Sequence, residues 1–167
     1  AWEGTVRETD VTAQVNLLLN RAAKLIDVDS YLPHEGKVLI RNKVAQRISV
    51  RIPYWVNRRE LCTEVNGKII PLDWTGNYLV FSNLKCGDTI TLQFPVREMT
   101  TVYTINANTA MEKKYTCTFR ASTLVDISPR DASPNGYPLY QREHIQRDKT
   151  PMKTVERFVA DKTVLAW

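Results

Sequence analysis

The sequence predicts an all-β protein. The expected architecture is an antiparallel β-sandwich of about ten to eleven short strands, followed by a long Pro-rich C-terminal segment. Three observations predict it. First, Ile48, Val50 and Ile52 alternate with Arg47, Ser49 and Arg51, and Ile90, Leu92 and Phe94 alternate with Thr89, Thr91 and Gln93. A period of two residues puts one face of a strand in the core and the other in water. Second, Asn66-Gly67 lies between these runs; this pair favours a two-residue hairpin turn, because both central positions take positive φ. Third, turn signals recur about every 8–12 residues, the spacing of a sandwich or barrel.

Taken in order, residues 11–20 read as a strand with Val11, Ala13, Val15, Leu17 and Leu19 on one face. Residues 24–32 form a second strand, with Ile26 and Val28 set among Asp27 and Asp29, and Asn20-Arg21-Ala22-Ala23 joins the two as a hairpin. A helix competes here, since Leu18, Ala22, Leu25 and Ile26 share a helical face; the acid–apolar alternation after Leu25 favours strands. Pro33-His34-Glu35-Gly36 has turn composition. Residues 37–42 and 47–52 are strands, and Pro53, with no N–H to donate, ends the second. Residues 61–65 and 68–72 form the Asn-Gly hairpin, with Val65 facing Lys68, Thr63 facing Ile70 and Leu61 facing Leu72. Residues 77–82 and 88–94 flank the turn Lys85-Cys86-Gly87-Asp88. A longer strand, 97–105, presents Met99, Thr101, Tyr103 and Ile105 on one side, and Asn106-Ala107-Asn108 breaks it. Residues 113–121 and 124–127 complete the series.

From Ser128 the character changes. The stretch SPRDASPNGYPLYQREHIQRDKTPMK holds four prolines and little periodicity. Structureless stretches of this length are uncommon inside compact domains, so residues 128–153 are expected to be an extended crossing or docking segment. VERFVADKTVLAW reads as a short helix or a last strand.

The 167 residues suit one domain, 1–167, with a sizeable core. Hydrophobic residues make up 43% and charged residues 25%, which excludes wholesale disorder. No run is long and apolar enough for a membrane-spanning helix. The start, AWEGTVRETD, has neither a leading Met nor the apolar core of a signal peptide, and the chain is expected to be part of a larger protein. If that protein carries a secretion signal, its setting is periplasmic or secreted; otherwise it is cytoplasmic. The net charge is +5 and the pI about 9.2, but the basic residues are interleaved with acids and form no block, which disfavours nucleic acid as a partner.

No motif for nucleophilic, metal-dependent or nucleotide chemistry is present. Cys62, Cys86 and Cys117 lack CxxC spacing and have no neighbouring His, so no metal site is expected. Cys117, alternating with Tyr115 and Phe119, reads as a small core residue; a Cys62–Cys86 disulfide is the alternative use of the other two. Glu35, Asp73, Asp88, Asp126 and Asp131 sit at turns or strand ends, where carboxylates serve turn chemistry and solvation. The aromatic residues are better candidates. Tyr54, Trp55 and Trp74 flank the central hairpin and offer rings that stack on sugar faces; the plainer use of the same rings is to plug the ends of the sandwich. Tyr137, Tyr140 and Arg142, in the Pro-rich segment, are candidates for an interdomain contact.

The ordered series RIPYWV, VNGK, GNYLVF and CGDTITLQFPV resembles the β-sandwich region of family-127 glycoside hydrolases, the β-L-arabinofuranosidase-like enzymes. VNLLLN and SYLPHEGKV upstream, and FRASTLVDISPRD and GYPLYQR downstream, extend the resemblance over residues 11–145. The resemblance implies that catalysis belongs to a separate (α/α)6 barrel, which carries a cysteine-and-glutamate zinc site with a catalytic cysteine and an acid/base glutamate. Cys62, Cys86 and Cys117 do not match that cluster, so no catalytic or metal residue and no cofactor is expected in this chain. The role this implies is that of a non-catalytic accessory domain that packs on the barrel of the same parent chain or makes a homodimer contact. A carbohydrate-binding module is the alternative function, and a basic nucleic-acid-binding β-domain the third.

Overall fold

A computed structural model describes residues 4–130, and the 128–153 segment therefore lies almost wholly outside the described residues. The strands are β1 (Val6–Thr9), β2 (Thr12–Val15), β3 (Arg21–Ala22), β4 (Ile26–Ser30), β5 (Lys37–Asn42), β6 (Arg47–Arg51), β7 (Cys62–Val65), β8 (Lys68–Ile69), β9 (Trp74–Thr75), β10 (Tyr78–Ser82), β11 (Thr89–Gln93), β12 (Glu98–Ile105), β13 (Lys113–Arg120) and β14 (Thr123–Ser128). One 3-10 turn, Arg58–Glu60, comes after β6, and the Asn57 side chain accepts from the Arg59 N–H at its start.

Two sheets face each other. One has the order β1-β2-β6-β10-β9 and the other β3-β4-β5-β11-β7-β8. The alternation read from the sequence is the alternation that packs them. Ile48 and Val50 of β6, and Ile90 and Leu92 of β11, are fully buried, while Arg47 and Arg51 face water. With Val15, Ile26, Val28, Val38, Ile40 and Leu79 they form one continuous core between the sheets. Close-packed apolar side chains from both inner faces are what hold such a sandwich together.

The Asn-Gly hairpin forms as expected at its turn: Asn66 and Gly67 have φ of 52° and 75°, and Val65 pairs with Lys68. The Ile70 N–H still reaches the Thr63 carbonyl at 3.1 Å, but β8 stops at Ile69, so Leu61 and Leu72 are not paired in the ladder. The hairpin is clipped to the next turn. Asn66 donates to Asp88 at 2.8 Å and accepts from the Thr89 N–H at 2.9 Å.

The all-β, antiparallel-rich sandwich forms as expected, and three of its details differ from expectation. The first is the 11–32 hairpin. Strand β2 ends at Val15, and β2 and β4 belong to different sheets, with residues 16–20 crossing between them. Leu18 is buried, whereas Val11, Leu17 and Leu19 are exposed, the reverse of a continuous strand. Hydrogen bonding fixes the crossing: Asn16 donates to the Gly4 carbonyl at 2.8 Å, and Asn20 accepts from the Ser30 N–H at 2.6 Å. The helical alternative does not form either; Arg21–Ala22 pairs with β4 instead.

The second concerns strand direction. Strands β2 and β6 run parallel, with Ala13 opposite Ile48 and Val15 opposite Val50. Parallel pairing needs a long crossover, which the chain supplies by building β3, β4 and β5 in the other sheet between them. The third is the sheet to which the last three strands belong; their positions are as expected. Strands β12, β13 and β14 form their own three-stranded sheet; Met99, Tyr103 and Ile105 are exposed, and of β13 only Cys117 is buried. The sandwich core is complete without them. Arg120 anchors this sheet to the sandwich by donating to the Pro33 carbonyl at 3.1 Å and the His34 carbonyl at 3.3 Å.

Candidate functional site

At one end of the sandwich the chain leaves β6 through Ile52-Pro53-Tyr54-Trp55-Val56. Pro53 cannot continue the ladder, so the segment turns out of the sheet. Ile52 and Val56 stay in the core, and Tyr54 projects with 88% of its surface exposed. Trp55 points back inward. Its ring meets Phe94 edge to face at 5.7 Å, and its indole N–H donates to the Ser122 hydroxyl at 2.8 Å. A half-buried indole with its one donor satisfied is a plug that also ties the third sheet to the sandwich.

Trp74 lies beneath a cation. The Arg58 guanidinium stacks 4.1 Å from the indole centre and donates to the Gly76 carbonyl at 3.1 Å and to Asn77 at 2.8 Å. Stacking and hydrogen bonds together hold this guanidinium in one orientation.

Between the 16–20 crossing, the 52–56 segment and the 122–123 turn lies a cleft of about 620 Å³. Tyr54 and Trp55 line it, as do Leu17, Leu19, Arg51 and Arg58. Trp74 does not line it but supports Arg58 from behind. The structure thus brings two of the three predicted aromatic residues into one concavity and gives the third a supporting role. Tyr137, Tyr140 and Arg142 lie outside the described residues. Sequence reasoning missed Leu17, Leu19, Arg51 and Arg58. The two arginines bracket PYWV and were legible as neighbours of an aromatic pair; the leucines came in only through the crossing that replaced the expected strand.

All three cysteines are free: Cys62 half-buried, Cys86 exposed, and Cys117 buried as expected. The Cys62–Cys86 disulfide is not formed. Among the described residues no three His, Cys, Asp or Glu side chains are grouped so as to hold a metal ion, and no helix is long and apolar enough to cross a membrane. Asp88 serves its turn, accepting from the Lys85 N–H at 2.7 Å and from Asn66, and these bonds hold its carboxyl below the ordinary value of 3.8. Asp126 is lowered in the same way, first by Arg130 at 2.8 Å.

Among the described residues, an antiparallel-rich sandwich with an appended three-stranded sheet and an amphipathic cleft is therefore the class of this protein. No protein-family model matches the chain, and no curated protein matches it. Solved structures do. A GH127 β-L-arabinofuranosidase from Geobacillus stearothermophilus T6 superposes on 72% of this chain with a TM-score of 0.51 at 17% identity. A second GH127 β-arabinofuranosidase does so on 72% with a TM-score of 0.52 at 18% identity, and a further glycoside hydrolase on 72% at 0.51 and 17%. The fold is thus one found in family GH127 enzymes, as the ordered motifs led us to expect. The chain spans only 21%, 23% and 22% of those three chains.

Proposed function

We propose that this chain is a non-catalytic accessory domain of a larger glycoside hydrolase, packed against a separate (α/α)6 catalytic barrel of the same polypeptide. One observation carries the proposal: most of this chain matches about a fifth of each solved enzyme, leaving the greater part of those enzymes outside the match. The described residues add support, because the Asp88 carboxylate serves its turn, that of Asp126 pairs with Arg130, and the cysteines are dispersed. The domain's work in this reading is mechanical. Its rigid core presents a fixed surface to the barrel, and residues 128–153, with Tyr137, Tyr140 and Arg142, extend the contact or serve a homodimer.

The open reading frame that encodes the chain tests the proposal. Helix-rich sequence of several hundred residues beside this stretch, carrying a cysteine cluster, is the expected result; a frame holding this chain alone overturns it. The isolated chain is expected to release nothing from nitrophenyl arabinofuranosides, and turnover that survives purification would refute its non-catalytic role.

A further inference from the structure

We propose that the cleft beside Tyr54 is a binding site for a carboxylate-bearing sugar, a uronic acid or an oligosaccharide ending in one. Its volume, about 620 Å³, falls among small-molecule sites and accommodates one or two sugar rings. Its charge is one-sided. Arg51 and Arg58 line it, and no Asp or Glu does so among the described residues.

The two arginines differ in a useful way. Arg58 is held by Trp74, Gly76 and Asn77, so its position costs little further ordering on binding. Arg51 ends β6 exposed, with no hydrogen bond or ion pair to its side chain among the described residues. A guanidinium with a free fork takes a carboxylate through two parallel N–H donors. Tyr54 supplies the second element of recognition, an exposed ring at the rim of the same cleft. Such a ring stacks on the apolar face of a pyranose while its hydroxyl reaches a sugar hydroxyl. The Ser122 hydroxyl already accepts from Trp55, which leaves its own O–H to donate into the cleft. One free guanidinium fork at Arg51, one fixed positive charge at Arg58, one flat ring and a small concavity match a compact anionic ring better than an extended acidic peptide. The site stands whether or not the domain docks on a barrel.

The test uses the full chain and two probes of equal length and linkage: a galacturonic acid disaccharide and its neutral galactose counterpart. Binding is followed by calorimetry and by tryptophan fluorescence, since Trp55 lines the cleft. The expected result is saturable binding of the uronide at millimolar concentration, with the neutral sugar at least about tenfold weaker. Arg51→Gln and Tyr54→Ala, both at exposed positions, are expected to lower uronide affinity by about tenfold each while thermal stability is unchanged. Raising the ionic strength is expected to weaken the uronide and leave the neutral sugar unaffected. Equal binding of the two sugars overturns the charge assignment. Uronide binding that survives Arg51→Gln undiminished overturns the site. Absence of binding by either sugar overturns the proposal, an outcome that leaves the accessory-domain reading intact.

Discussion

Replacing Gly36 by alanine should be among the most damaging single changes on the surface of this sandwich. Gly36 precedes β5, where the chain passes directly over the end of β11. The Phe94 N–H donates to the Gly36 carbonyl at 2.8 Å. A methyl group on Gly36 would lie 1.6 Å from the Phe94 carbonyl oxygen, 2.8 Å from its carbon and 3.1 Å from its ring. The obstacle is backbone, so no rotamer change relieves it and the two segments must separate. Separation breaks a hydrogen bond worth about 1 kcal/mol. It also displaces Phe94 from the core and from its edge-to-face contact with Trp55, a contact worth about 1 kcal/mol beyond the area it buries. Lost packing around the displaced ring adds about 1 to 2 kcal/mol, and the lower entropy of an unfolded alanine returns about 0.5 kcal/mol. The net expectation is a loss of about 2.5 to 3.5 kcal/mol, or roughly 5–14 °C in Tm. Urea unfolding followed by tryptophan fluorescence measures it, with near-ultraviolet dichroism reporting the Trp55–Phe94 pair. A loss below about 0.5 kcal/mol with an unchanged aromatic signal would refute the reasoning.

Three further outcomes rest on particular contacts. Asn42 is buried and donates to the Ala45 and Lys85 carbonyls, both at 2.7 Å, while accepting from the Ala45 N–H at 2.8 Å. Asn42→Ala should cost about 3 kcal/mol in chemical denaturation, and Asn42→Asp more, because a carboxylate would face two carbonyl oxygens; a cost under about 1 kcal/mol would show the network to be dispensable. Asp88 has a carboxyl lowered from 3.8 by the Lys85 N–H and Asn66. A lowered folded value means that its contribution is present above the ordinary value and is lost as pH falls through the folded one. The stability gap between the wild-type chain and Asp88→Asn should therefore be full at neutral pH and close in acid below 3.8; a gap independent of pH would count against the clasp. Finally, the native chain should show one rapidly reacting thiol toward a disulfide reagent, lost in Cys86→Ser, with Cys117 reacting only on unfolding. Rapid labelling of Cys117 would contradict its burial.

Much of the sandwich was legible because its signals are local. The alternation around Ile48 and Val50, and around Ile90 and Leu92, specifies which side of each strand is buried wherever that strand lies. Asn66-Gly67 specifies a turn through the stereochemistry of two residues. Proline at 53 ends a strand because it lacks a donor. Gly36 shows where such reading stops. It reads as turn composition, whereas the structure requires it for a close approach to Phe94, more than fifty residues further along the chain. Tyr54 and Trp55 were likewise visible as an aromatic pair, but nothing local says that one ring points to solvent and the other plugs the core beneath Ser122.

The sequence by itself determined the all-β character, most strand positions, the central hairpin and the buried face of the main strands, since period and turn chemistry are written into neighbouring residues. Only the tertiary structure decided that residues 16–20 cross between sheets, that β2 lies parallel to β6, that the last three strands stand apart, and that Leu17, Arg51, Tyr54 and Arg58 share one cleft. Those outcomes depend on which apolar faces meet and on which distant polar groups satisfy one another. Such choices are settled by burial across the whole chain, and they leave no periodicity in any one stretch of it.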